Sequence, residues 1–230
     1  MAQLLLVRHG QASFGASDYD KLSDLGVEQS RTLGQFWARC DLPIDNMIAG
    51  SMRRHRETAE AVCEALPDAP PLQIDAGFNE YDFQDVMLRY RPDFAEGGVM
   101  RRLVAEKSNP KLAFQELFSR ATARWMNGES DDEYEECWPV FRDRVVAALQ
   151  RILDDDSKRL TAVFTSGGPI GTAIQWVLGL DNLQMQSLNW VIANSSVTAV
   201  LYRPGQVSLS YFNNFAHLQQ TGDRSFISYR

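Results

Sequence analysis

The sequence predicts an α/β fold: a three-layer sandwich with a mostly parallel central sheet, helices on both faces and a helical lid insertion. Short, continuous apolar runs recur along the chain, as is typical of strands that are buried on both faces. Segments with helical spacing of apolar residues separate these runs, so strands alternate with helices. A chain of 230 residues can bury a full core, and we expect one domain spanning 1–230.

The predicted strands are short and largely apolar. They are Gln3–Val7, Asp45–Gly50, Leu72–Ala76, Leu160–Thr165, Ser195–Arg203 and Gln206–Asn213. Only Pro204-Gly205 separates the last two, so we expect them to pair as neighbours.

The predicted helices lie between these strands. Ser23 can cap a helix that runs to about Cys40, because its hydroxyl can accept a bond from a free backbone N–H group. The other predicted helices are Arg53–Leu66, Glu133–Leu153 and Pro169–Leu178. Residues 84–135 contain helical patterns broken by glycine and proline, and we interpret them as the helical insertion or lid.

Composition excludes several classes of function. The net charge of −7 argues against nucleic acid and anionic membranes as partners. Three scattered cysteines indicate neither a disulfide framework nor a zinc site. The sequence shows no signal peptide, no run long enough to cross a bilayer and no nucleotide-binding fingerprint. We therefore expect a cytoplasmic protein without a cofactor or metal, and the sequence gives no indication of its oligomeric state.

Two predicted strands end in residues suited to binding an anion. Arg8-His9-Gly10 follows the first strand, and Ser166-Gly167-Gly168-Pro169 follows Leu160–Thr165. Ligands of open α/β sheets bind beyond the carboxyl ends of the strands. Glycines let backbone N–H groups approach a ligand closely, and the helix that follows presents its positive end. The sequence therefore predicts an anion site that contains a histidine and an arginine.

In these and other segments the chain resembles the histidine phosphatase (phosphoglycerate mutase-like) superfamily. The resembling segments keep the family's order and spacing over nearly the whole chain. They are Leu4–Gly10, Ser51–Ala59, Phe78–Asp82, Val163–Ile170, Asn194–Thr198 and Asn213–Leu218. The resemblance implies a metal-independent phosphatase that hydrolyses a small phosphomonoester through a phosphohistidine intermediate.

The resemblance also implies roles for individual residues. His9 is expected to be the nucleophile, since a neutral imidazole nitrogen can attack phosphorus; the alternative is a loop histidine satisfied by local backbone bonds. Arg8 and Arg54 are expected to clamp the phosphate, because a guanidinium fork matches two phosphate oxygens. His55, next to Arg54, is interpreted as a surface residue of its helix.

By the same resemblance Glu80 is the general acid that protonates the leaving oxygen. That role requires a pKa raised by burial, which the nearby arginines would oppose. Asp82 and Asp85 are the rival carboxylates.

Ser166 stands where the family usually has a second histidine. Serine carries no charge, so we expect a site that binds phosphate but stabilises the transition state less well. Ser166 and Gly167 remain expected phosphate donors. Gln11 and Ser13 could also donate to phosphate, although they could equally be loop residues that face water. His217 is a possible compensating residue.

The remaining alternatives concern function. The loop Phe14–Lys21 lacks the segment that we associate with typical mutases, which favours a phosphatase over a phosphoglycerate mutase-type transferase. Ser166 also leaves open a phospho-ligand binding or regulatory protein with little turnover, although a pure binder has no need of Glu80. Specificity is expected to come from residues 84–135. Their basic side chains are Arg89, Arg91, Arg101, Arg102, Lys107 and Lys111.

Overall fold

One six-stranded sheet forms the centre of the computed structural model, which describes residues 1–13, 20–96, 98–155 and 157–229. In chain order its strands are β1 (Ala2–Arg8), β2 (Asn46–Ala49), β3 (Leu72–Ile74), β4 (Leu160–Thr165), β5 (Val197–Arg203) and β6 (Gln206–Asn214). The order across the sheet is β3-β2-β4-β1-β5-β6. The first four in that order are parallel, and β5 and β6 each add an antiparallel pair.

Helices connect most of the strands, whereas a short turn at residues 204–205 joins β5 to β6. The helices are α1 (Asp24–Arg39), α2 (Arg53–Cys63), α3 (Phe83–Tyr90), α4 (Val99–Ala105), α5 (Pro110–Met126), α6 (Trp138–Leu153), α7 (Gly167–Leu178), α8 (Asn182–Asn189) and α9 (Ala216–Gln219). None in the described ranges is long and apolar enough to span a bilayer. The predicted cap of α1 is confirmed, because the Ser23 side chain accepts a bond from Gly26 N–H.

The helices cover both faces of the sheet, as the alternation of side chains along β1 requires. Leu4 and Leu6 belong to one core cluster, which includes residues of α6 and α7. Leu5 and Val7 belong to the opposite cluster, which includes residues of α1 and α2. The predicted three-layer α/β fold with a mostly parallel sheet is therefore confirmed.

A third core cluster lies between α3, α5 and α6. Its centre is aromatic: the ring centroids of Tyr81 and Trp125 are 4.6 Å apart, and Phe141 meets Tyr81 edge to face. The helices that were expected in residues 84–135 therefore pack on α6 through their own apolar core.

Two predicted boundaries are wrong, and one helix was not predicted. The helix expected from Glu133 begins at Trp138, because residues 131–133 form a separate 3-10 turn and Pro139 occupies the first turn of α6. Strand β5 begins at Val197 instead of Ser195, whose φ of 60° is left-handed. Helix α8 was not predicted; it follows Gly179, which ends α7 at a φ of 66°.

Candidate active site

The expected site residues converge where three neighbouring parallel strands end. Because β2, β4 and β1 are adjacent, their carboxyl ends meet at one edge of the sheet. His9 follows β1 and Ser166 follows β4. Helix α2, which follows β2, carries Arg54 in its first turn. The fold thus brings together residues from three distant parts of the sequence.

His9 is buried and held as a neutral imidazole. Its Nδ1 lies 2.7 Å from the carbonyl oxygen of Gly10, which can only accept a hydrogen bond, so the ring proton resides on Nδ1 and Nε2 carries the lone pair. Burial, followed by the charges of Arg54 and Arg8 and by the neighbouring His55, lowers the pKa of His9 well below its usual value. A buried, unprotonated Nε2 is the form that a nucleophile requires.

The backbone after His9 is tightly enclosed. A Cβ on Gly10 would lie 2.2 Å from the carbonyl oxygen of Gly26 in α1, so a larger residue would displace the loop. The N–H group of Gly10 donates to Thr58 Oγ1 in α2 at 3.1 Å. Helices α1 and α2 therefore both hold the segment that carries the imidazole.

Both expected arginines lie beside His9. Arg54 is only 5% exposed; its Nη1 binds Asp20 Oδ1 at 2.6 Å and its Nη2 lies 3.5 Å from Ser166 Oγ. The Arg8 guanidinium donates to the carbonyl oxygen of Ile192. These contacts fix two cations at the end of the sheet, where they create a positive potential for an anion in a protein of net negative charge.

The Glu80 carboxyl group lies at the start of α7. Its Oε2 accepts a 3.0 Å bond from Gly168 N–H, and its Oε1 accepts a weaker 3.3 Å bond from Tyr81 N–H. Desolvation raises the pKa of Glu80 above its usual value; the Gly168 bond and the charges of Arg54 and Arg8 oppose this shift but do not cancel it. A raised pKa favours the protonated form that a general acid needs.

The rival carboxylates have structural roles. Asp82 Oδ1 caps α3 by accepting bonds from Gln84 N–H at 2.8 Å and Asp85 N–H at 3.2 Å. Asp85 pairs with Arg89 at 2.8 Å and accepts a bond from Glu135 N–H. Of these three carboxylates, only Glu80 binds the start of α7.

Ser166 is completely buried, and its hydroxyl points away from the helix that it precedes. The side chain does not cap α7. Its Oγ instead lies 2.6 Å from His55 Nε2 and 3.5 Å from Arg54 Nη2. The next residue, Gly167, begins α7, and a Cβ there would lie 2.2 Å from Asn189 Oδ1.

The interpretation of His55 as a surface residue is wrong. The side chain has 0% exposure, and its ring centroid lies 5.8 Å from that of His9. A sequence signal was present, because His55, Thr58, Ala59 and Val62 form the i, i+3, i+4, i+7 stripe of a buried helix face. Sequence reasoning thus missed a second imidazole in the site.

The structure gives other partners to two of the expected donors. Ser13 donates its hydroxyl proton to the Leu22 carbonyl at 3.0 Å, so it is not available as a phosphate donor here. Gln11 Oε1 accepts from Ser23 Oγ at 3.1 Å, which holds that side chain within the loop. Residues 14–19 of the same loop lie outside the described residues.

His217 does not reach the site. Its Nε2 contacts Ser195 Oγ at 3.3 Å and its ring packs against Phe36, with ring centroids 6.3 Å apart. Burial lowers its pKa to about 4, as expected for a neutral core histidine. The imidazole that contacts Ser166 is therefore His55 and not His217. Within the described ranges, no cluster of three or more His, Cys, Asp or Glu side chains could hold a metal ion.

Comparison with known proteins identifies the family of the chain. The family model of the histidine phosphatase superfamily (branch 1) matches residues 4–215. No curated protein matches the chain by sequence.

Several solved structures share the fold. A phosphoserine phosphatase variant from Entamoeba histolytica, in complex with phosphoserine, has a TM-score of 0.65 at 17% identity, over 95% of this chain and 100% of that one. A phosphoglycerate mutase from Bacillus anthracis has a TM-score of 0.66 at 20% identity, over 96% and 97%. An alpha-ribazole phosphatase from Shigella flexneri has a TM-score of 0.64 at 17% identity, over 93% and 96%. Because the family model covers most of the sequence, the chain belongs to the histidine phosphatase superfamily, branch 1.

Proposed function

We propose that this protein is a metal-independent phosphatase that hydrolyses a small phosphomonoester through phosphohistidine on His9. The observation that carries the proposal is the neutral His9 ring, with its proton fixed on Nδ1, beside two buried or half-buried arginines and a carboxyl group of raised pKa. Family membership and the phosphatases among the structural neighbours support it.

The proposed reaction has two steps. In the first, His9 Nε2 attacks phosphorus in line, a P–N bond forms, the P–O bond to the leaving group breaks, and Glu80 gives its proton to the departing oxygen. In the second, water attacks phosphorus while the Glu80 carboxylate accepts a proton from it. The P–N bond breaks, and phosphate leaves with neutral His9 restored. Arg8 and Arg54 hold the phosphoryl oxygens throughout.

A phosphatase is favoured over a mutase by the helices between β3 and α6. We propose that residues 84–135 cap the pocket as a lid. A mutase needs additional cations for the second charge of its substrate. Arg89 and Arg91 are instead paired with Asp85 and Asp93, at 2.8 and 2.7 Å. Each of these two cations is therefore bound by a carboxylate of its own segment.

The test is hydrolysis of p-nitrophenyl phosphate in EDTA by the wild type and by His9→Ala. We expect activity that persists in EDTA and is lost in the variant. If both preparations are equally slow while inorganic phosphate still binds, the second candidate is favoured. That candidate is a phospho-ligand binding protein, and the feature that favours it is Ser166, an uncharged hydroxyl beside Arg54. If transfer to a second phosphoester exceeds transfer to water, the protein is a mutase.

A further inference from the structure

The proposed mechanism leaves one buried imidazole of the site unused. His55 lies in the first turn of α2, is completely buried, and faces the nucleophile with its ring tilted by 37° to that of His9. Its Nε2 makes the short 2.6 Å bond to Ser166 Oγ. A buried polar ring in contact with a site residue requires a specific explanation.

The chain makes room for this ring. A Cβ on Gly50, which follows β2, would lie 2.2 Å from His55 Nδ1 and 2.9 Å from Asn79 Oδ1. The backbone of Gly50 is not left-handed, so its conformation does not require glycine. Glycine is needed there because the imidazole occupies the space that a side chain would take.

The surroundings of the ring indicate where its proton lies. Within the described structure, His55 Nδ1 is buried without a hydrogen-bond partner, so a proton on Nδ1 would be an unsatisfied donor. A proton on Nε2 is satisfied by Ser166 Oγ. Burial and the charge of Arg54 lower the pKa of His55 well below its usual value, so the ring carries only one proton.

Two donors then converge on one hydroxyl oxygen. His55 Nε2–H and Arg54 Nη2–H both face Ser166 Oγ, at 2.6 and 3.5 Å. A hydroxyl accepts through its oxygen and retains one proton to donate. Since Ser166 does not cap α7, that proton is available for an acceptor in the site.

We propose that His55 is a positioning residue for phosphoryl transfer: by donating to Ser166 Oγ, it directs the Ser166 O–H toward the phosphoryl oxygens held at His9. The inference rests on the phosphatase function proposed above. It assigns a joint role to a pair of residues from α2 and from the end of β4. His55 acts only through the serine and does not itself touch the substrate.

A double-mutant cycle tests the pair. The variants are His55→Leu, Ser166→Ala and the double variant, assayed with p-nitrophenyl phosphate. We expect each single variant to lower kcat by about tenfold to a hundredfold with KM changed less than twofold, and the double variant to be no slower than the slower single one. His55→Gln keeps an N–H donor near the position of Nε2 and should recover kcat to within about threefold of wild type.

Two kinetic results would overturn the proposal. One is a kcat for His55→Leu within twofold of wild type. The other is losses that multiply in the double variant, which would mean that His55 and Ser166 act independently. Asn46→Leu is the matched control, because Asn46 is a buried polar residue bonded to Thr161 at the opposite end of the sheet. It should lower the melting temperature without lowering kcat.

Two further readouts separate this proposal from the proposed function. If the wild type does not turn over, the proposed phosphatase function is wrong. The same double-mutant cycle is then measured on the Kd of orthovanadate. Non-additive losses of vanadate affinity support the His55–Ser166 pair, whereas additive losses or no vanadate binding overturn the proposal. Nitrogen-15 NMR of histidine-labelled wild type reports the tautomer even if His55→Leu fails to fold. We expect His55 protonated on Nε2, with a resonance that moves in Ser166→Ala; protonation on Nδ1 would overturn the proposal.

Discussion

Replacing Glu80 by Gln should slow the enzyme in a way that depends on the leaving group. The amide keeps the size of the side chain and an oxygen that can accept the Gly168 N–H bond, but it has no proton to transfer. General acid catalysis typically contributes about 10²- to 10⁴-fold, which corresponds to roughly 2.7 to 5.4 kcal/mol of barrier. An alkyl phosphate should show this full loss in the first step, because its alkoxide needs a proton to leave. An aryl phosphate, whose leaving group departs readily as an anion, should lose far less there.

The dependence of activity on pH tests the role of Glu80 independently. The pKa of His9 is lowered, so the nucleophile is already unprotonated well below pH 6.5, and activity falls on the acid side only when His9 becomes protonated. The pKa of Glu80 is raised above 4.5, and activity on alkyl phosphates should decline as pH rises through that raised value. Glu80→Gln should remove this basic limb. Substrate ionisation is the same for both enzymes, so their difference isolates the carboxyl group.

The assay is kcat/KM for an alkyl and an aryl phosphate, measured across pH for wild type and Glu80→Gln in EDTA. Equal losses on the two substrates would refute the role of Glu80 as acid in the first step. A basic limb that survives in Glu80→Gln would do the same, and would require another proton donor in the pocket.

Three further substitutions test the site by other means. Gly168→Ala places a Cβ 2.0 Å from Glu80 Oε1 and 3.0 Å from the buried ring of Tyr81, so we expect at least a tenfold loss of alkyl phosphatase activity. Unchanged activity would contradict the placement of the carboxyl group. Ser166→His should not raise the rate, since His55 Nε2 already lies 2.6 Å from Ser166 Oγ and leaves no space for a second imidazole. The double variant Ser166→His/His55→Ala should restore activity, because it removes the His55 ring. A Ser166→His variant faster than wild type would show that this space is not filled. His217→Gln should keep kcat within about twofold while lowering thermal stability, and a large loss of kcat would return that histidine to the site.

Much of the fold follows from local patterns in the sequence. Strands β1 and β4 lie at the centre of the sheet, so both faces must be apolar, and Leu4–Val7 shows this as a continuous run. Helix α8 was missed although its capping box, Asp181 with Gln184, is readable in the sequence. The start of α6 was misplaced because acidic residues that favour a helix start form a separate turn before Pro139.

The chemistry of Ser166 could not be read from its own neighbourhood. From its position at the end of β4, we expected Ser166 to be an uncharged and weaker replacement for a histidine. Its bonding partner comes from α2, and the two meet only because β2 pairs with β4 in the sheet. The room for that partner depends on Gly50, which no periodicity marks. Contacts between side chains that are far apart in the sequence depend on the order of the strands in the sheet. Such contacts are therefore the hardest part of a site to predict from one sequence.

The site of phosphorylation tests the proposed phosphohistidine intermediate directly. Glu80→Gln should form the phosphoenzyme readily from an aryl phosphate but hydrolyse it slowly, because the water lacks its base, so the intermediate should accumulate. The variant is mixed with p-nitrophenyl phosphate in EDTA, quenched in alkali, and digested for mass spectrometry. We predict phosphate on His9, with no phosphopeptide when His9→Ala is added. Phosphate on His55, or rapid turnover with no phosphohistidine at all, would contradict His9 as the nucleophile.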